Sequence, residues 1–401
     1  MADSNAVRPE GVSRSLVLVL ALAGGAVVAN LYYSQPLLAE IARAIGISES
    51  RAGLIPALTQ MGYGLGLLFL IPLGDKAERR RLIVTLVLLA AVALLFTGGA
   101  NSALLLFALN LVVGLLSVVP QIIVPFVATL SGPADRNRNV GTVMSGLLIG
   151  ILLARTASGF LGEHLGWRFV YFIAAGVMVV LAVLLRIMLP ASREETGASY
   201  FALMRSIPGL LRKLPVLGEA AVNGALIFGV FSVFWSTLVF KLEALPAHFG
   251  AQTAGLFGLV GASGALAANL SGRLADRMGP CRIVRIGCTV VFGSWAVMWL
   301  GGGSVWALAC GAVLLDFGIQ ASHVANQALI FAQMPEARSR INTVYMVTFF
   351  TGGAIGSLAG SYTWKQAGWT GVCVLGAALM VIALAASFLM EARRESAWAR
   401  L

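Results

Sequence analysis

Gly272-Arg-Leu-Ala-Asp276-Arg277-Met-Gly279 follows a long apolar run in the second half of the chain. A related stretch, Asp75-Lys76-Ala-Glu78-Arg79-Arg80, follows an apolar run in the first half, with Asp75 and Asp276 in register. Two further landmarks repeat with nearly the same offset: Pro133 to Arg138 with Pro335 to Arg340, and Gly166-Trp167 with Gly368-Trp369. The sequence therefore contains an internal duplication, and a duplicated membrane bundle places a binding site between its two halves.

The composition identifies a membrane protein. Hydrophobic residues make up 59% of the 401 residues and charged residues 11%, with a mean hydropathy of +0.89. A soluble domain carries about 25% charged residues. We therefore expect most of this chain to lie inside a lipid bilayer.

A helix that crosses the hydrocarbon needs about 20 mainly apolar residues. The apolar windows predict an all-α membrane protein whose two pseudo-symmetric six-helix bundles, 1–190 and 215–401, are joined by a cytoplasmic linker at 191–214. The twelve predicted helices are 15–38, 51–74, 82–99, 102–128, 139–162, 168–189, 215–240, 250–275, 283–301, 304–332, 341–363 and 369–390.

The distribution of basic residues predicts the orientation. The net charge is +11, and most of the 28 Lys and Arg residues fall in the termini and in the loops on the same side as the termini. Such an excess is typical of cytoplasmic loops, so both termini are predicted to be cytoplasmic in a bacterial inner membrane. Anionic lipid headgroups account for the basic loops, and no nucleic-acid partner is expected.

The paired aspartate loops resemble the signature of the major facilitator superfamily, Gly-x-Leu-Ala-Asp-Arg-x-Gly-Arg-Arg, which joins the second and third helices. The copy from Gly272 to Gly279 is similar throughout. The first-half copy has Ile71 and Glu78 in the two glycine positions. The resemblance covers nearly the whole chain, and it implies the major facilitator fold, transport by rocking halves, a monomer and no cofactor.

Both loops are candidates for a conformational latch. A carboxylate at a helix end can accept from the N-terminus of a neighbouring helix and can pair with arginine. The alternative is an ordinary cytoplasmic turn that carries orientation charges. The candidate latch residues are Asp75, Lys76, Arg79, Arg80, Gly272, Asp276, Arg277 and Gly279.

Within the superfamily the chain resembles bacterial drug:proton antiporters, through the run from Asn30 to Leu37 and the stretch from Asp316 to Met346. The resemblance implies proton-coupled export of a drug-like or amphipathic compound. Two positions depart from that branch: Asn110 replaces an arginine of the fourth helix, and Arg155 replaces a proline of the fifth. Proton-coupled import of a small metabolite and a transporter-like sensor remain as alternatives.

Ionisable residues inside a bilayer are costly and mark functional candidates. Arg155 lies in the fifth predicted helix, and Asp316, Gln320, His323 and Gln327 share one face of the tenth. Arg155, Asp316 and His323 are the proton-coupling candidates. Arg155 and Asp316 lie at similar depths, so we expect them to approach each other across a central cavity in one conformation. The alternatives are a static pair that joins the halves and a polar face that bonds to neighbouring helices.

Polar and aromatic residues on helices expected to line the cavity form the candidate substrate site. They are Asn30, Tyr32, Tyr33, Gln35, Gln60, Asn110, Gln121, Asn223, Trp235, Gln320, Gln327, Asn342 and Tyr345.

The sequence contains none of the signatures that would indicate an enzyme. It lacks Gly-x-x-x-x-Gly-Lys-Ser/Thr, His-Glu-x-x-His and Gly-x-Ser-x-Gly. Its three histidines are scattered, so no catalytic metal site is predicted. A carrier of a small solute and of protons is the function that the sequence favours.

Overall fold

The structure, a computed structural model, describes residues 12–75, 77–191, 209–334 and 337–398. Six membrane-crossing helices lie before the linker region and six after it. The first six are α1 (Arg14–Ala29), α2 (Glu49–Gly74), α3 (Arg79–Gly98), α4 (Ala103–Leu130), α5 (Arg136–Leu165) and α6 (Trp167–Met188). Most of the predicted linker, 192–208, lies outside the described residues.

The second six helices repeat this pattern. Helix α7 is Pro215–Glu243, α8 comprises Ala251–Val260 and Ala262–Met278, α9 is Pro280–Leu300 and α10 is Val305–Phe331. The helical segment Arg338–Trp398 contains α11 (338–367) and α12 (369–398), because Gly368 takes a positive φ of 58° that no helix can continue through. The predicted all-α fold with twelve crossing helices is confirmed.

The helix breaks differ from the sequence prediction in the first crossing. Residues 15–38 were predicted as one helix, but α1 ends at Ala29. The chain continues through a 3₁₀ turn at Gln35–Leu37 and a short helix at Leu38–Ile45. Pro36 has no N–H to donate and excludes a regular helical turn before it. The side chains of Tyr32 and Gln35 are thereby carried on irregular backbone, where they can turn towards α5.

The two halves meet along two seams. Helix α5 packs against α8, and α2 packs against α11. In the first seam an added Cβ on Gly255 would lie 2.5 Å from the carbonyl oxygen of Arg155 and 3.1 Å from Cα of Gly159. Small residues permit such close backbone approach between membrane helices. The first seam therefore brings the backbone of Arg155 into contact with the opposite half.

One end of the bundle is closed by contacts between the halves. We call the end where α1 begins the terminus side and the opposite end the far side. The far-side contacts between halves include an ion pair, an indole–carboxylate bond, a helix cap and a hydroxyl–carbonyl bond. They join Arg43 to Glu243, Trp364 to Glu49, the Gln252 N–H to Glu163, and Ser357 to the Gly53 carbonyl.

The first aspartate loop caps α3. Glu78, which occupies a glycine position of the signature, accepts from the backbone N–H groups of Arg80 and Arg81, both at 3.1 Å. A carboxylate there satisfies free N–H groups and complements the helix dipole. Arg79 is buried with its guanidinium 5.5 Å from the ring centroid of Phe126. Glu78 thus caps α3, a role that its place at a glycine position of the signature did not reveal.

The latch itself stays a prediction. Lys76 lies outside the described residues, as does the side chain of Asp75. Arg80 donates to the carbonyl oxygen of Leu189 at 3.3 Å, which ties the start of α3 to the end of α6. In the second loop Asp276 and Arg277 are exposed, whereas Gly279 (φ 83°) turns the chain into α9; the glycine at 272 has open space around it.

Candidate substrate and proton site

Arg155 is the centre of the candidate site. It projects from α5 at the seam with α8, and only 2% of the residue is exposed. Its Nε donates to Oε1 of Gln35 at 2.6 Å, a bond within the first half. A hydrogen bond from a charged donor in a low-dielectric setting is stronger than a neutral one. Gln35 thus fixes one edge of the guanidinium.

Three aromatic rings surround the same guanidinium. Its central carbon lies 4.4 Å from the ring centroid of Tyr32, 4.0 Å from that of Trp235 and 5.3 Å from that of Phe231. Such cation–π contacts are worth about 0.5–2 kcal/mol each, the upper figure applying to desolvated groups. Tyr32 belongs to the first half, whereas Phe231 and Trp235 lie on α7. Arg155 therefore binds both halves through this aromatic cage, defined as Tyr32, Phe231 and Trp235.

Asp316 is the second buried ionisable residue near Trp235. It is 6% exposed, and its carboxylate lies beside the Trp235 indole and within electrostatic range of Arg155. An added Cβ on Gly261 would lie 3.1 Å from its Oδ2, so the absence of a side chain at Gly261 leaves room for the carboxylate. Arg155 and Asp316 do not form a direct ion pair in this conformation. Trp235 is a neighbour of both residues, and their approach across a central cavity stays a prediction.

Three polar atoms of this cluster have no hydrogen-bond partner. They are Nη2 of Arg155, Nε1 of Trp235 and Oδ1 of Asp316. The Trp235 indole is close to the Asp316 carboxylate, but the contact lacks the geometry of a hydrogen bond. The space beside Arg155 and Trp235, which Gln35 also lines, is too narrow for a water molecule. A buried unpaired polar group costs about 1–3 kcal/mol, so the unpaired atoms destabilise the cluster in the closed state.

The polar stripe of α10 becomes more accessible towards the terminus side. Asp316 is buried, whereas Gln320, His323 and Gln327 are each partly exposed. The stripe therefore runs from the buried centre to partly exposed positions nearer the terminus side, as a route for protons or solute requires.

Neighbouring side chains orient the outer part of the stripe. Nδ1 of His323 lies 3.1 Å from the Tyr345 hydroxyl, and its ring lies 4.7 Å from the Phe349 ring, centroid to centroid. Gln327 donates to Oδ1 of Asn342 at 3.4 Å. Tyr345 is fully buried, so it has no exposed surface for a solute. Its contact with His323 instead positions the imidazole ring.

Several other predicted residues bond within one half. Asn30 donates to Ser117, Asn110 donates to the backbone of its own helix and accepts from Thr59, and Asn223 accepts from Asn326. These amides form hydrogen bonds within buried helix–helix contacts. The structure thus separates them from the Arg155–Asp316 cluster.

Gln60 connects the halves at the second seam. Its amide exchanges two bonds with the hydroxyl of Ser232, one turn of α7 before Trp235, at 3.1 and 3.2 Å. Gln121 donates to the Tyr63 hydroxyl at 3.2 Å, within the first half, and Tyr33 is partly exposed. Gln60 therefore lies next to the cage without touching Arg155.

Phe231 and Ser232 were missed by the sequence analysis. Phe231 precedes Trp235 by four positions on an apolar helix, and nothing in its residue type distinguishes it from packing phenylalanines. The spacing places it on the face of Trp235, which is the one signal that could have found it.

Comparison with known proteins agrees with this architecture. The family model of the Major Facilitator Superfamily matches residues 20–319 and 271–400. The uncharacterized transporter YgaY of Escherichia coli O157:H7 is 42% identical over 93% of this chain and 95% of its own length. The probable transporter SCO4007 of Streptomyces coelicolor is 37% identical over 96% of this chain and 90% of its own.

A solved bacterial homolog of the human lysosomal transporter Spinster, in an inward-facing and unoccupied conformation, has the same fold. It superimposes with a TM-score of 0.73 at 17% identity, over 94% of this chain and 96% of its own. Fold, family model and relatives all describe membrane transporters and not enzymes. This chain belongs to the Major Facilitator Superfamily.

Proposed function

We propose that the protein is a proton-coupled secondary transporter that exports a small drug-like or amphipathic solute across the bacterial inner membrane. The observation that carries the proposal is the buried cluster of Arg155, Trp235 and Asp316 at the junction of the halves. A cation, an acid and an aromatic ring are there shared between two bodies that can move against each other. Buried ionisable groups of this kind mark proton and substrate pathways.

Movement of the halves would change the surroundings of Asp316. Arg155 keeps Tyr32 and Gln35 within its own half, but it contacts Phe231 and Trp235 across the seam. Opening of the far side separates these two sets and moves the guanidinium relative to the carboxylate. The free energy of protonating Asp316 therefore differs between the two conformations, which is what coupling to a proton gradient requires.

The distribution of charge supports the orientation. The basic loops and the termini lie at one end of the bundle, and an excess of Lys and Arg is typical of the cytoplasmic side. The terminus side then faces the cytoplasm and the closed far side faces the periplasm. In this orientation the partly exposed α10 stripe connects the centre to the cytoplasm. The resemblance to drug:proton antiporters supports export as the direction.

Reconstitution tests the proposal. Cells that produce the protein are screened for resistance to a compound panel, and a compound that passes is loaded into proteoliposomes with an imposed pH gradient. We expect the gradient to drive wild-type transport against the compound's own gradient. Asp316→Asn should retain compound exchange without driven accumulation. Asp135→Asn, which changes an exposed carboxylate, is the matched control.

Coupling of wild-type strength in Asp316→Asn would overturn the role of Asp316. Gradient-driven movement in the direction of the proton flux would replace export by import. A protein that binds compounds but never moves them would support the sensor alternative.

A further inference from the structure

The buried polar atoms without hydrogen-bond partners in the Arg155–Asp316 cluster indicate which chemical groups could bind there. Nη2 of Arg155 and Nε1 of Trp235 are two buried donors on the two sides of the seam, and both residues line the same narrow space. Two buried donors of residues that line one space, one of the donors charged, are satisfied best by an anionic oxygen group such as a carboxylate. That space is narrow in this conformation, so we expect the two donors to gain a partner when the halves separate around a ligand.

The third atom calls for the opposite chemistry. Oδ1 of Asp316 is a buried acceptor without a donor. A proton or a cationic N–H group satisfies it, and the two exclude each other. The cluster therefore offers two donors for an anionic group and one acceptor for a cationic group, with Trp235 next to each of the two charged side chains.

We propose that the transported solute is a small amphoteric molecule of the α-amino acid type, which carries a carboxylate and a protonated amine on neighbouring atoms. The inference rests on the proposed function in taking Asp316 as the residue that binds the exchanged proton. The carboxylate binds Arg155 and Trp235, and the ammonium group binds Asp316. The apolar side chain of the solute packs against the rings of Tyr32 and Phe231.

Charge balance favours this class over its singly charged relatives. The site holds one cationic and one anionic side chain, both almost fully buried. A zwitterion adds no net charge and pairs each of them. A simple carboxylate adds a negative charge beside Asp316 and leaves Oδ1 of Asp316 unpaired. A simple amine adds a positive charge beside Arg155 and leaves Nη2 of Arg155 unpaired. Unpaired buried charges are the most costly arrangement in a dry site.

The same arrangement explains how the solute could be exchanged for a proton. The ammonium group of the solute occupies the position that a proton takes on Asp316 when the solute is absent. Binding of the solute therefore displaces the proton, and binding of a proton displaces the solute. Competition of this kind at one carboxylate produces antiport and needs no further site.

Matched triads of compounds test the solute class by equilibrium binding to the purified full chain in lipid nanodiscs. Each triad contains an amino acid, the amine without the carboxylate and the acid without the amine. The triads are alanine, ethylamine and propionate; leucine, 3-methylbutylamine and 4-methylpentanoate; and phenylalanine, 2-phenylethylamine and 3-phenylpropanoate. Calorimetry measures affinity, and the thermal unfolding midpoint provides a second readout. In at least one triad the amino acid should bind at least about tenfold more tightly than either relative.

Two variants assign the groups separately. Trp235→Phe keeps a ring over Arg155 but removes Nε1, so it should weaken compounds with a carboxylate and leave the amine unchanged. Asp316→Asn should weaken compounds with an ammonium group and spare the acid. Trp299→Phe, at an exposed tryptophan, is the control for loss of an indole.

The inference is overturned if no amino acid binds more tightly than both relatives, or if Trp235→Phe weakens all three compounds of a triad equally. Because binding is measured without a gradient, this failure is distinct from that of the proposed function. Proton-driven transport of some other compound would then still stand. Loss of coupling to Asp316 would be seen only in the proteoliposome assay.

Discussion

Arg43 and Glu243 form a two-pronged ion pair across the halves, with Nη1 and Nη2 of the arginine at 2.8 and 3.1 Å from the two carboxylate oxygens. Arg43 follows α1, and Glu243 ends α7. The hydrogen bonds that Arg43 donates to Glu243 raise the pKa of Arg43 above its ordinary value. The pair joins the two halves on the far side. It therefore helps to keep the far side closed in this conformation, and it must break when the far side opens during transport.

Neutralising this pair should make the far side easier to open. In Glu243→Gln the arginine loses its charged partner, and an exposed pair of this kind is worth about 0.2–1 kcal/mol. The population of the far-side-open state should therefore rise by up to about fivefold. A single cysteine at Ala254, in a protein whose four native cysteines are replaced, reports the change through its rate of labelling by an impermeant maleimide.

Arg43→Gln in the same background should have a similar effect. The double variant should add little to either single one, because all three remove the same interaction. Fully additive labelling rates would mean that the two residues act independently, contrary to the bidentate geometry.

Arg155→Lys should fail although it keeps the charge. A lysine ammonium is a compact point charge that cannot donate to Gln35 and stack on Tyr32 and Trp235 at the same time. We expect transport to fall by about 10–100-fold, the equivalent of one to two lost cation–π contacts. Arg186→Lys, at an exposed arginine of α6, should transport normally in the same assay. Wild-type rates in Arg155→Lys would show that charge alone is sufficient.

Gly255 should tolerate no side chain. A Cβ there would meet the carbonyl oxygen of Arg155 at 2.5 Å, and this oxygen belongs to a helix backbone that cannot rotate away. Gly255→Val should push α5 and α8 apart, prevent closure of the far side and leave Ala254→Cys labelled at a high rate. Gly141→Ala on α5 meets no atom within 4 Å and should label like the parent protein. Slow labelling in Gly255→Val would contradict the tight seam.

Glu40 should introduce a pH dependence of stability. Its Oε1 accepts from the Trp167 N–H at 3.0 Å and caps α6. Burial raises the pKa of Glu40 above 4.5, and the bond from Trp167 opposes part of that rise. The folded state then holds the proton more tightly than the unfolded state. Stability from this group is therefore complete below pH 4.5 and declines as the pH rises through the raised pKa.

Glu40→Gln keeps an oxygen acceptor for Trp167 and removes the titration. The thermal unfolding midpoint of the wild type, relative to this variant, should fall as the pH is raised from 4.5 through the raised value. A relative midpoint that rises over the same interval would show that the cap, and not burial, dominates. Glu49→Gln, at a carboxylate that bonds Trp364 outside the cap, serves as the comparison.

The sequence was sufficient for the fold because the bilayer imposes a length and a polarity on every crossing segment. Twelve apolar windows, two aspartate loops and the repeated Gly-Trp landmarks led to two six-helix halves, and the helices differ mainly at their ends. The irregular stretch after α1 was not foreseen, although Pro36 marked it, because an apolar window does not report whether its backbone is helical.

For the site, the sequence alone determined that Arg155 and Asp316 are ionisable groups at membrane depth, since a charge among apolar residues is visible in one dimension. The tertiary structure alone decided that Trp235 is a neighbour of both, that Phe231 and Tyr32 complete a cage, and that Asn30, Asn110 and Asn223 bond within one half. Helical periodicity gives the face on which a residue lies, but the residue that meets it from another helix depends on how the two halves pack.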